Sequence, residues 1–134
     1  VCRPADGDYK GFEFVSGELP DLYAAADVIV GRTGAGTLWE GAASGKPMVF
    51  IPLGSGSRGD QVENARLLAS RGGAVCLAGD EAPPEALLAA LTPLLSNPEA
   101  RSTMAAAAGE TARPDAAAAI AGMILDRVLK GSTR

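Results

Sequence analysis

Two short stretches of this 134-residue chain concentrate the side chains and backbone that could handle a ligand. The first, Gly31 to Glu40, reads Gly-Arg-Thr-Gly-Ala-Gly-Thr-Leu-Trp-Glu. Gly34, Ala35 and Gly36 carry almost no side chain, so backbone N–H groups there can approach a ligand closely. A helix starting in this stretch would also present the positive end of its dipole, which favours an anion. Arg32 could add a full charge, and Thr33 and Thr37 could add hydroxyls. The stretch has neither the Gly-Lys-Ser/Thr of a P-loop nor the spacing of the dinucleotide fingerprint. Glu40 has two readings. In one, Thr37 and Glu40 form a capping box, the carboxylate reaching back to the cap's N–H. In the other, the carboxylate accepts both hydroxyls of a ribose, one turn from an anion-binding loop, where the sugar of a nucleotide would lie.

The second stretch is Gly54 to Gln61, Gly-Ser-Gly-Ser-Arg-Gly-Asp-Gln. Asp60 could cap the following helix, with Glu63 three residues on completing a capping box. Gln61 has no such role, and an amide beside a carboxylate can read sugar hydroxyls through donor and acceptor bonds. Arg58 could contact phosphate or be solvated. Trp39, the only tryptophan, and Tyr23 are read as packing residues.

The composition narrows the chemistry. There is no histidine, which removes the commonest general base and the commonest metal ligand. Cys2 and Cys76 stand far apart and match no metal spacing, so no metal site is expected. The net charge is −4 with scattered Lys and Arg, which argues against a nucleic-acid face. No apolar run approaches the ~20 residues of a membrane span.

These loops need elements to hold them. Short apolar runs alternate with helix-like stretches, the pattern of a parallel sheet covered by helices. Strands are expected over Phe12 to Val15, Val28 to Val30 (buried on both faces), Met48 to Ile51 and Ala74 to Leu77. Helices are expected over Pro20 to Ala26, over Thr37 to Ser44 with a stop at Gly45, and from Asp60 to about Arg71. Beyond Pro83-Pro84, Leu87, Leu88, Leu91, Leu94 and Leu95 form one helical stripe. Asn97-Pro98 caps a further helix. Pro114 opens a last one, whose Ile120, Met123, Ile124 and Val128 are spaced to pack on the body. The Ala-rich stretches Ala105 to Ala108 and Ala116 to Ala119 read as close-packing helix. The expected fold is α/β: about four β-α units in a Rossmann-like sheet flanked by helices. Residues 1–134 form a single, partial domain, with the ligand loops in about 1–80 and a helical tail in about 81–134. In such sheets ligands bind beyond the carboxyl ends of the strands.

Together these segments resemble the donor half of GT-B glycosyltransferases, and most closely the MurG family. The similar stretch runs from about Tyr9 to Val75, about half the chain. Glu13 to Val15 is similar to the segment whose backbone holds uracil, with Val15 the nearest match. Leu22 to Val30 looks like the helix and strand before the family's signature. Arg32 to Thr37, including Thr33, Gly34, Ala35 and Gly36, matches its phosphate-side loop, and Glu40 its ribose-binding glutamate. Asp60 and Gln61, followed by Glu63, Asn64 and Ala65, resemble the segment that contacts the sugar of UDP-N-acetylglucosamine. Arg32, where many small-molecule glycosyltransferases carry His, points the same way.

The resemblance implies the donor-binding part of an inverting hexosyltransferase that adds N-acetylglucosamine to lipid I in peptidoglycan synthesis. It implies UDP-N-acetylglucosamine as substrate, no cofactor or metal, and no catalytic residue in this chain. The base, the lipid-linked acceptor site and the membrane-facing patch are then expected in a separate N-terminal domain. The whole protein would be cytoplasmic and peripheral on the inner face of the plasma membrane, and this chain alone inactive. Three alternatives stay open: a GT-B enzyme with another acceptor, a one-domain subunit of a two-component enzyme, and a non-catalytic nucleotide-binding module.

Overall fold

The computed structural model describes residues 9–54, 59–78 and 82–131. Arg58 and most of the loop before Asp60 fall outside those residues, as does Cys2. The elements run α1 (Leu19–Ala25), β1 (Ile29–Gly31), α2 (Ala35–Ala43), β2 (Met48–Phe50), α3 (Asp60–Ser70), β3 (Ala74–Cys76), α4 (Pro84–Ser96), α5 (Pro98–Thr111) and α6 (Ala116–Gly131).

The strands form one parallel sheet in the order β1-β2-β3, with Gly31 opposite Phe50 and Phe50 opposite Cys76. Parallel neighbours require a crossover between them, and α2 and α3 supply it. β2 lies in the middle and is buried along its whole length. Its pleat sends Met48 and Phe50 to one face and Val49 to the other. Met48 and Phe50 join Ile29, Leu38, Ala42, Ala65, Leu68, Ala74 and Ala108 in one core cluster. Continuous burial therefore belongs to Met48–Phe50. In β1, which has no second neighbour among the described residues, Val30 is exposed.

Two helix–strand contacts depend on the absence of a side chain. A Cβ on Gly41 would sit 2.5 Å from the Met48 sulfur. One on Gly73 would sit 2.9 Å from the Ala108 Cα, so α5 lies directly on the entry to β3. The expected close packing of the first Ala-rich stretch is realised at Ala108. At the end of α2, Gly45 takes φ +60°, the left-handed stop that a side chain would strain. The Asn97 side chain accepts from the N–H groups of Glu99 and Ala100 and caps α5 as expected.

Four expectations are corrected. Phe12 to Val15 is not a strand; it pairs with no ladder among the described residues, and Phe14 is 83% exposed. An extended segment cannot satisfy its own backbone, so apolar content alone does not make it a strand. Among the described residues the sheet thus has three strands rather than four. The stripe on α4 is only half used, since Leu94 is buried while Leu88 and Leu95 face solvent. Finally, α6 does not pack on the body. Ile120, Met123, Ile124 and Val128 are all exposed, as are Ala116 to Ala119.

Candidate functional site

β1 and β2 run side by side in the same direction, so the segments leaving them emerge at one edge of the sheet. That edge brings Arg32 to Gly34 beside Ile51 to Gly54, and the start of α3 follows from the latter. The parallel topology therefore gathers both predicted stretches at the carboxyl ends of the strands.

The first stretch folds differently from a capping box. α2 starts at Ala35, two residues before the expected Thr37, and its cap is Gly34, which has no side chain to offer. The first intrahelical bond runs from Leu38 N–H to the Gly34 carbonyl. The N–H groups of Ala35, Gly36 and Thr37 thus precede that bond, and the cap residue has no side chain to accept from them. Three such donors at the positive end of a nine-residue helix form a candidate anion cradle. The Glu40 carboxylate, relieved of capping, folds back over the first turn. Its Oε1 lies 3.8 Å from where a Cβ on Gly36 would stand.

The side chains flanking this cradle are placed unequally. Thr33 is fully buried and its hydroxyl has no hydrogen-bond partner among the described residues, so it is enclosed in the protein rather than presented as a ligand hydroxyl. Arg32 Nη1 donates to the Ile51 carbonyl at 2.9 Å, laying the guanidinium across the end of β2. Thr37 is half-buried on the same side of α2 as Glu40, three residues away.

The second stretch is also rearranged. α3 is capped by Gly59 at φ +87°, a left-handed conformation suited to glycine, and Asp60 is its first residue. The Asp60 carboxylate accepts from the Gln61 N–H at 3.0 Å. Gln61 was expected to be free of structural duty, but its Oε1 accepts from the Leu53 N–H at 3.1 Å. The amide thereby ties α3 to the segment leaving β2. Asn64 lies one helical turn from Asp60, and three residues from Gln61.

A third feature lies between α1 and α2. Ser16, Leu19, Pro20, Tyr23, Glu40, Ala43 and Ser44 surround a cavity of about 360 Å³. Val15, half-buried, immediately precedes its rim. Tyr23 packs against the core and brings its hydroxyl beside Thr37 and Glu40, an arrangement that reading it as packing alone did not anticipate. Burial raises the phenol above its ordinary value of 10.0, and the Glu40 charge pushes the same way. Trp39 was read as a packing residue, but Leu38 is the one that enters the core and Trp39 is 42% exposed.

Against known proteins, the model of the glycosyltransferase family 28 C-terminal domain matches residues 4–120. Curated relatives share the name UDP-N-acetylglucosamine–N-acetylmuramyl-(pentapeptide) pyrophosphoryl-undecaprenol N-acetylglucosamine transferase. The Treponema denticola protein is 41% identical over 65% of this chain and 22% of its own length. That of Geobacillus thermodenitrificans is 47% identical over 66% of this chain and 25% of its own length. That of Phenylobacterium zucineum is 40% identical over 84% and 30%. The crystal structure of Acinetobacter baumannii MurG superposes with a TM-score of 0.73 at 31% identity, covering 84% of this chain and 32% of that one. The chain therefore spans roughly a quarter to a third of the proteins it matches. The expected Rossmann-like sheet flanked by helices is the fold that superposes. The chain belongs to the family of glycosyltransferase family 28 C-terminal domains.

Proposed function

We propose that this chain is the donor-binding part of an inverting transferase that takes N-acetylglucosamine from its UDP carrier and delivers it to a lipid-linked acceptor. The observation that carries this reading is the open start of α2: uncapped N–H groups at Ala35 to Thr37, with the Glu40 carboxylate one turn on and not spent on capping. The relatives' shared name supplies the donor sugar and the undecaprenol acceptor.

The roles follow from this placement. The diphosphate sits at the N-terminus of α2, with Gly34, Ala35 and Gly36 allowing close backbone approach and Arg32 beside it. As the bond from sugar to phosphate breaks, charge grows on the departing UDP. Donors and a helix dipole already aimed at that spot stabilise it without reorganising. Glu40 accepts the two ribose hydroxyls, and the base lies in the cavity beside it, against the backbone near Val15. Asp60, the NH2 of Gln61, and Asn64 read the hexose hydroxyls from the start of α3. Charge stabilisation by backbone gives the donor site no need of a metal or other cofactor.

Deprotonation of the acceptor hydroxyl needs a general base. We place it, with the acceptor and the membrane-facing surface, in another part of the protein, and the protein at the inner face of the plasma membrane. Among the described residues no helix is long and apolar enough to cross a membrane, which fits a peripheral attachment. The experiment is a calorimetric titration with UDP and UDP-N-acetylglucosamine, on the wild type and on Glu40→Ala. Loss of binding on the substitution supports the reading; unchanged binding sinks it.

A further inference from the structure

We propose that Tyr23 is a positioning residue for Glu40, its phenol fixing the carboxylate in the attitude that accepts a ribose. This rests on the nucleotide reading given above.

The geometry begins with α1, which lies so that Tyr23 packs against the core and reaches the exposed side of α2. Its hydroxyl there neighbours two side chains, Thr37 and Glu40, which share one face of α2 at a spacing of three. Tyr23 and Glu40 line the same 360 Å³ cavity. Lys46 secures α1 by donating from Nζ to the Ala24 carbonyl at 2.8 Å, so the phenol projects from an anchored helix.

An exposed glutamate has several rotamers, and ordering it on a ligand costs conformational entropy, up to ~2 kcal/mol for a long polar side chain. A neighbouring O–H donor that occupies one lone pair of the carboxylate removes part of that freedom beforehand. It leaves the remaining acceptor sites for the two ribose hydroxyls. The phenol is suited to this because it stays protonated: burial and the Glu40 charge both oppose its ionisation, while the hydrogen bond to Thr37 opposes them only in part. Thr37, a donor and an acceptor, completes the polar group without adding charge.

The test is calorimetry on the full chain, titrated with UDP and with its 2′,3′-dideoxy analogue. Four proteins are compared: wild type, Tyr23→Phe, Glu40→Ala and the double variant. Phenylalanine keeps the ring, and thermal melts of each variant check the packing. Tyr23→Phe is expected to weaken UDP about three- to tenfold, the scale of one hydrogen bond. It should leave the dideoxy analogue unaffected and add nothing once Glu40 is gone. Equal weakening for both ligands, or in both backgrounds, would assign Tyr23 a packing role and overturn the proposal. So would wild-type affinity for UDP in Tyr23→Phe. Should Glu40→Ala alone leave UDP binding intact, the ribose site itself is refuted, a failure visible without any change at Tyr23.

Discussion

Thr33→Val is expected to stabilise the protein. Thr33 is fully buried, and its hydroxyl is a buried polar atom with no partner among the described residues. Leaving such a group unsatisfied costs roughly 1–3 kcal/mol of desolvation. Valine keeps the β-branch, and with it the χ1 restriction, while exchanging the hydroxyl for a methyl of similar size. Burial of that methyl adds up to ~0.8 kcal/mol. The expected gain is about 1–3 kcal/mol, against a background in which most substitutions destabilise by about 1. In urea, with an unfolding slope of about 1–3 kcal/mol per molar, the midpoint should rise by about 1 M at constant slope. Affinity for UDP should not change, because the hydroxyl faces inward. A fall in the midpoint would show instead that the hydroxyl is satisfied, for instance by a buried water. A loss of UDP affinity at unchanged stability would show that the hydroxyl reaches the ligand.

Two further outcomes follow from the packing and the titratable groups. Gly73→Ala places a Cβ 2.9 Å from the Ala108 Cα and 2.9 Å from a Leu68 methyl. Since backbone must move, it should destabilise by about 1–3 kcal/mol, read as a lower melting temperature; a neutral result would mean that α5 sits further from β3. Stability should also decline in alkali. Burial raises the Cys76 thiol above its ordinary 9.0 with Arg66 opposing, and the Tyr23 phenol is raised above 10.0. In both, the folded chain holds its proton longer than the unfolded chain does. Their contribution is therefore complete below the ordinary values and is lost as pH rises through the raised ones. Urea midpoints should fall above about pH 9, and less steeply in Tyr23→Phe/Cys76→Ala; parallel profiles would contradict this.

Much of the fold was legible because local rules agreed. Pro47, Gly45 and Asn97-Pro98 mark boundaries that the structure keeps, and β2 and β3 fall within their expected ranges. The errors lie where a choice depends on partners. Leu38 and Trp39 are adjacent, and helical period alone does not decide which of them faces the sheet. Leu38, Gly41 and Ala42 form the buried stripe. The regular spacing along α6 identified an apolar face but not what would cover it. At the candidate site the residue types were legible and their duties less so. Thr37 reads as a cap because glycine carries no capping side chain, yet Gly34 is the cap, which is why Glu40 is unoccupied by that duty. The bond from Leu53 to Gln61 joins a strand end to a helix start and has no signature in either segment. The pairing of Tyr23 with Glu40 is equally non-local.

That the start of α2 and Glu40 together hold the donor nucleotide can be read at single residues by extending the UDP titration to NMR, observed at backbone amides. The Ala35, Gly36 and Thr37 amides should move first and furthest, and Glu40→Ala should weaken binding by about tenfold or more with little change in stability, since the cap of α2 is Gly34. Shifts confined elsewhere, or wild-type affinity in Glu40→Ala, would contradict it.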